Sequence, residues 1–225
     1  NPFSEKNFDG KFLTKFKNIN YEVKNVNEFK SETTNELFGA FGYFASVDLY
    51  KDDYKGRNHS LTPKVLFKYA PNYMRKETEN FNLIGKNIFS LDRIQSNENF
   101  EGGTNMTIGL NYEIDNDISK TNFSIGQIIN EKKNNKQMPD TSSLDKRFSD
   151  IIGNFNYDKN EKFSINYNFL LDQNYKETNL NDVALNYATN NFNFNLNYLE
   201  EEKKSGENEY VKSSVEYKRG DNGVF

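Results

Sequence analysis

The sequence contains no cysteine and no tryptophan, and its only histidine is His59. A disulfide framework, a thiolate zinc site and a Cys-His dyad are therefore impossible within these residues. Long apolar runs are missing too: the most apolar stretch, Phe38 to Val47, is roughly half of the ~20 residues that a membrane helix requires. Membrane helices are excluded, whereas membrane strands, at ~9–11 residues each, are not. A formal charge of −4 and a pI near 5.3 leave no basic stripe of the kind that binds nucleic acid. The opening residues, NPFSEKNFDG, form no basic-then-apolar leader, so the chain reads as a mature protein or an excerpt.

Only 35% of the residues are apolar and the mean hydropathy is −0.92, which would give a soluble globule a thin core. Aromatics nonetheless make up 15%, with 20 Phe and 14 Tyr, so this is not a disordered polar tract. What is scarce is placed with a strict period. In Phe100 to Lys132, Thr104, Met106, Ile108, Leu110, Tyr112 and Ile114 alternate with Asn105, Thr107, Gly109, Asn111 and Glu113. After the polar turn Asp115 to Thr121, Phe123, Ile125 and Ile129 share a face interrupted by Gln127. Side chains of a strand point alternately to opposite faces, so this is a hairpin with one apolar face, and it is the repeating unit.

The pattern predicts about ten such strands. The first runs from Lys11 to Lys24, with Leu13, Ile19, Tyr21 and Val23 on one face and a phase break near Lys15 to Lys17 that reads as a bulge. In the second, Leu37, Gly39, Phe41, Tyr43, Ala45, Val47 and Leu49 share a face without a charge, opposite Glu36, Phe38, Phe44, Ser46 and Asp48. The third follows a connection over Lys51 to His59 and places Leu61, Val65, Phe67 and Tyr69 opposite Thr62, Lys64, Leu66 and Lys68. Pro63 within it marks a strand start or a local irregularity. Later strands centre on Phe155, on Tyr167, on Leu185, on Leu196 and on Tyr210 to Lys218.

Connections after odd-numbered strands are the longer ones, notably Ala70 to Gly103 and Lys133 to Arg147, and those after even-numbered strands are short. Long loops at one end and tight turns at the other mark an antiparallel up-and-down transmembrane β-barrel. Tyr112, Tyr157 and Tyr187 close apolar faces at short turns where Phe123, Phe163 and Phe192 open the next, which predicts an aromatic rim. The other face is crowded with Asn, Lys, Ser and Asp. In a barrel it encloses water, so Lys64, Lys68, Asn111, Glu113, Asn154, Asn156, Asn166, Asn168, Asn195 and Asn197 are expected to face a lumen. Aromatic pairs across a soluble sheet are the plainer alternative.

Four pieces occur in order: LTPKVLFKYAP (Leu61 to Pro71), NIFSLDRIQSNENFEGGTNMTIGLNYE (Asn87 to Glu113), FSIGQIIN (Phe123 to Asn130) and LDKRFSDIIGNFNY (Leu144 to Tyr157). Together they resemble the middle of the barrel of the lipopolysaccharide-assembly outer-membrane proteins, the LptD (OstA, Imp) family. The most specific residues are Phe89, Asp92 and Arg93, then Gly126 and Gln127, then Ser149, Asp150 and Gly153. The resemblance implies transport and insertion of lipopolysaccharide into the outer leaflet of the bacterial outer membrane, with no bond chemistry, no enzyme activity and no cofactor. It implies an LptE-like lipoprotein plug and a periplasmic Lpt bridge as partners, beside outer-membrane lipid. Residues 1–225 then form a single β-barrel segment, a partial barrel of about ten strands, lacking the family's periplasmic N-terminal domain. The family's disulfide and its lateral seam fall outside the matched pieces.

Individual sites carry plainer readings. His59 beside Ser60 suggests half of a hydrolase dyad, but neighbours on a strand diverge, and a solvated turn histidine is expected. Asp48, Asp52 and Asp53 lack the order of a calcium loop. Asp92 and Arg93 are expected to pair and fold the long loop over the lumen, with direct contact to lipopolysaccharide phosphates as the sharper option. Asp150 is expected to anchor a similar network. Phe225 does not continue an apolar face, and so is no carboxy-terminal barrel signal. A porin-like barrel closing on itself and a soluble β-sheet binding module remain as alternatives, separable by whether the first and last strands pair.

Overall fold

Alternation of this regularity produces a single antiparallel sheet. The computed structural model describes residues 4–22, 33–71, 74–78, 81, 83–85, 87–94, 96–202 and 208–217. Its strands are β1 (Ser4–Tyr21), β2 (Thr34–Asp52), β3 (Asn58–Ala70), β4 (Gly103–Asn116), β5 (Ser119–Asn130), β6 (Ile151–Lys159), β7 (Phe163–Leu171), β8 (Thr178–Ala188), β9 (Phe192–Glu201) and β10 (Asn208–Tyr217). Each pairs with the next in the chain, so the ten strands run up and down in sequence order. β1 and β10 are the two edges and do not pair with one another. The sheet is open, which removes the ten-stranded barrel closed on itself. All described strands lie in this one sheet, which leaves no second layer for a sandwich.

The expected parity of connections is present. Residues 53–57, 117–118, 160–162 and 189–191 link strands at one end; 22–33, 71–102, 131–150, 172–177 and 202–207 link them at the other. Register assigns the faces. Leu61, Tyr112, Phe123, Phe155 and Tyr167 follow one another across β3 to β7 on the apolar face, which also carries Leu37 and Phe41, at 73% and 51% exposure. Along the short-turn end of this face Tyr157 lies 6.0 Å from Phe163, Phe192 6.0 Å from Phe194, and Phe192 5.0 Å from Tyr217, ring to ring. Asn111, Ser124, Asn154, Asn168 and Asp182 form the matching row on the polar face.

Several expectations needed correction. β1 begins at Ser4, its register shift lies between Glu5 and Asn7, and pairing through Lys15 to Lys17 is continuous. Phe8, Phe12 and Phe16 carry its apolar face, whereas Leu13 and Ile19 are on the other side, toward a loop described below. Strand one is therefore apolar on both sides, and its two stripes read in sequence as a break in phase. Val23 and Lys24, like Phe225 and Lys218, lie outside the described residues. His59 belongs to β3, and its side chain is only 13% exposed: Nδ1 is 2.8 Å from the Tyr112 hydroxyl and Nε2 3.4 Å from Asp53. It is packed rather than solvated. Pro63 interrupts the β2–β3 ladder between Ser46–Lys64 and Leu49–Leu61, and there Thr62 donates to Asp48 at 2.8 Å.

Candidate functional site

Polar faces of sheets are ordinarily wet, but this one carries apolar side chains at its long-loop end. Phe38, Ala40, Leu66 and Ala70 stand there on β2 and β3, and Ile128, Ile152, Leu170 and Leu180 on β5 to β8, all buried. Two loops cover them. Leu91 and Phe100 of residues 71–102 pack with Ile19, Phe38, Ala40, Leu66 and Ala70. Leu83, Ile88 and Ile94 of the same loop, with Met138 and Leu144 of residues 131–150, pack with Ile128, Ile152, Leu170 and Leu180. Each fully buried Leu, Ile, Met or Phe stabilises docking by about 1.5–3 kcal/mol, so the loops are held to the sheet mainly by apolar contact.

Glycines on the same face make the seats. A Cβ on Gly42 would lie 2.6 Å from Leu91 Cδ2, and one on Gly109 2.8 Å from Phe89 Cζ. On Gly126 it would collide with Ile88 Cδ1. Phe89 completes its seat by meeting the Phe44 ring edge-on at 5.9 Å. Gly153 differs: its missing Cβ accommodates the Phe169 ring from across the β6–β7 pair on the apolar face, away from the loops.

Charges fix the loop's position. Asp92 and Arg93 do not bind each other; both are joined through Glu101. The Arg93 guanidinium donates to Glu101 Oε2 at 2.9 Å and Oε1 at 2.6 Å, and to Asn105 Oδ1 at 2.8 Å. Lys68 Nζ forms an ion pair with Glu101 Oε1 at 2.9 Å. Asp92 accepts the Glu101 amide at 3.1 Å and faces Lys15 at 3.3 Å. Burial by itself would raise the Glu101 pKa, but the Arg93 and Lys68 charges outweigh it and hold the carboxyl down at about 2. Further along, Lys17 donates to Asn99 O at 2.7 Å and Arg75 pairs with Glu36.

The second loop has a parallel anchor. Ser149 Oγ accepts the Ile128 amide at 2.9 Å and donates to Asp150 O at 2.7 Å, while Gln127 Nε2 donates to Ser149 O at 2.9 Å. Asp150 accepts Asn179 Nδ2 at 2.6 Å, and its own amide donates to Ser143 Oγ at 2.9 Å. Nearby, Lys146 faces Asp172 at 3.4 Å. Of the residues singled out in the sequence, the structure thus seats Phe89 on Gly109 and leaves Gly126 to Ile88, joins Asp92 and Arg93 through Glu101, and brings Gln127, Ser149 and Asp150 into a second cluster. Gly153 joins neither.

The candidates expected to face a lumen all lie on the polar face, but in two different settings. Lys68 is 2% exposed, sealed beneath the loop rather than open. Glu113 pairs with Lys120 at 2.6 Å near the short-turn end. Beyond the loops the face is a sheet of amides: Asn154 donates to Asn168 at 2.7 Å, Asn168 to Asn166 at 2.8 Å, Asn166 to Asn156, and Asn156 back to Asn154. Sequence reasoning missed Glu101, Ser143 and Asn179. The available signal was two cations, Lys68 and Arg93, placed near apolar neighbours, since buried cations require an acid. Among the described residues no three His, Asp or Glu side chains converge as metal ligands.

The sheet is thus open and up-and-down, apolar on one side and sealed by loops at one end of the other. The sequence model of LPS transport system D, LptD, matches residues 11–222. No curated protein matches the chain. LptD proteins are outer-membrane proteins of lipopolysaccharide transport and assembly, not an enzyme family. With nearly the whole chain matched, this protein belongs to the LptD family.

Proposed function

We propose that this chain is a wall of an outer-membrane barrel that inserts lipopolysaccharide into the outer leaflet. The observation that carries the reading is the two-sidedness of the sheet in a chain matched over residues 11–222. Exposed Phe12, Phe41, Phe67 and Ile108 suit lipid, and the amide-rich face suits a hydrated interior. Strands β4 to β10, of 9 to 14 residues, suit a tilted transmembrane strand, which needs ~9–11. β1 and β2, of 18 and 19 residues, would project beyond the hydrocarbon. The free edges of β1 and β10 would pair with further strands, so the sheet serves as part of a larger barrel. The long-loop end faces the cell exterior with its two longest loops folded over the inner face, the interior accepts an LptE-like lipoprotein, and lipopolysaccharide arrives from a periplasmic Lpt bridge.

The test is depletion of the protein in cells that depend on it, following pulse-labelled lipopolysaccharide to the surface with a membrane-impermeant antibody. Label held back from the surface is the expected result. Normal arrival combined with lost small-solute permeability would replace this reading with the porin-like one.

A further inference from the structure

We infer that the cleft beside the turns 160–162 and 189–191, on the apolar face, holds the head of an anionic glycerophospholipid. The inference rests on the outer-membrane reading and names a bilayer component that this wall would retain. Register places Lys159, Phe163, Tyr187 and Phe194 in one row across β6 to β9 on the apolar face, at its short-turn end, and Tyr217 of β10 opposite Phe192. Tyr187, Phe192 and Tyr217 wall the cleft together with Lys162 and Asn190, and it encloses about 600 Å³, within the ~300–1,000 Å³ of small-molecule sites. The rings brace one another: Phe192 stands 5.0 Å from Tyr217 and 6.0 Å from Phe194, and Tyr187 6.3 Å from Phe194. Tyr187, Phe192 and Tyr217 are nonetheless 46%, 43% and 40% exposed.

The adjoining turn supplies charge. Asn160 and Glu161 both take positive φ there, and the Lys162 amide donates to Lys159 O at 3.0 Å, which sets the two exposed lysines side by side. Arg57 and Lys120, at other short turns, are held by acids, Asp53 at 2.6 Å and Glu113 at 2.6 Å. Among the described residues neither Lys159 nor Lys162 forms an ion pair, and Glu161 between them bonds to neither. Such a lining sorts its ligands. Ammonium groups beside a floor of rings attract an anion at the level where apolar surface meets water. The rings cover glycerol carbons and the first methylenes, and an asparagine amide donates to an ester carbonyl. A free phosphate ion leaves the rings wet, and a zwitterionic head brings an ammonium of its own beside two lysines. Lipopolysaccharide carries phosphate too, but its delivery belongs to the leaflet at the long-loop end, and this cleft is at the opposite one.

The experiment reconstitutes the full-length protein in phosphatidylcholine vesicles that contain a trace of phosphatidylglycerol or phosphatidylethanolamine carrying a diazirine near the glycerol, and reads adducts on the peptide that holds Tyr187 to Phe192. Phosphatidylglycerol is expected to label it more strongly. Lys159→Gln and Lys162→Gln should each lower that yield about fivefold, the loss for one lysine at a charged surface, and Lys120→Gln should leave it unchanged. On the unsubstituted protein, unlabelled phosphatidylglycerol should displace the probe and lipopolysaccharide at the same concentration should not; this competition decides alone if the variants do not fold. Equal labelling by the two lipids, displacement by lipopolysaccharide, or unchanged labelling of both folded lysine variants would overturn the site. Failure in protein that inserts into the vesicles leaves the outer-membrane reading intact; a chain recovered outside the bilayer rejects both.

Discussion

Arg93 meets Glu101 through both carboxylate oxygens, at 2.6 and 2.9 Å, with 1% and 2% of the two residues exposed. The pair ties the start and the end of the same loop segment together, and Lys68 binds it to the sheet. Taking charges out of water is costly, and the cost is offset only while each has its partner.

Removing a single member should therefore be worse than removing the set. Arg93→Leu or Glu101→Leu alone is expected to cost about 3–5 kcal/mol, read as protease cleavage within residues 83–102 and earlier urea unfolding. Lys68→Met/Arg93→Leu/Glu101→Leu together should recover most of that loss. In a double-mutant cycle the Arg93–Glu101 coupling should exceed that of Asp92–Arg93, because Asp92 answers to Lys15 and to a backbone amide. Equal couplings would show that the loop is not hinged on Glu101.

Acid should release the same loop. Glu101 titrates near 4.5 when unfolded and at about 2 when folded, so the unfolded chain binds its proton first as pH falls. The stabilisation is complete above about 4.5 and is lost progressively toward 2. The protection factors of the Arg93 and Phe100 amides, taken relative to intrinsic exchange at each pH, should be steady from pH 6 to about 4.5 and fall from there to pH 3. Glu101→Gln should weaken the loop at neutral pH and flatten that part of the acid response.

How much of this could be read in the chain follows from what repeats. The apolar face of β2 to β9, the turn ends and the aromatic rim obey a period of two, so alternation alone locates Leu110, Phe123 and Tyr167. β1 misled because Ile19 and Leu13 serve the loop while Phe8, Phe12 and Phe16 serve the outer face, and two superposed stripes look like a slip. The loop docking had no period to reveal it. Leu66, Ile128, Ile152, Leu170 and Leu180 on an otherwise polar face were its trace, since an apolar side chain facing water without a partner is the exception in such a row. Glu101 is identified only once two distant cations are seen to converge on it.

The glycine seats should rank by what surrounds them. On Gly109 a Cβ would meet Ile125 O at 2.8 Å and the stiff Phe89 ring, so Gly109→Ala is expected to cost about 1–3 kcal/mol of overpacking. On Gly126 the first obstacle is the free end of Ile88, and the nearest backbone atom, Ile108 O, is 3.1 Å away. Gly126→Ala should cost less, because Ile88 can rotate. Thermal unfolding of the two variants side by side checks the order, and a reversed order would mean that the loop sits differently on β4 and β5.

The last expectation concerns which solvent meets the outer face. Ile108 is near the middle of β4 on the apolar face and 42% exposed, while Asn122 of β5 lies on the polar face opposite Glu113. In a bilayer an arginine on the lipid side near the midplane costs about 2–4 kcal/mol and one on the inner side much less. In water, an exposed Ile108→Arg would be close to neutral. Folding into lipid vesicles with urea titration should therefore penalise Ile108→Arg and spare Asn122→Arg, whose new charge gains Glu113 as a neighbour. Equal stabilities would mean that the apolar face does not touch lipid and that something else must cover Phe41, Phe67 and Ile108.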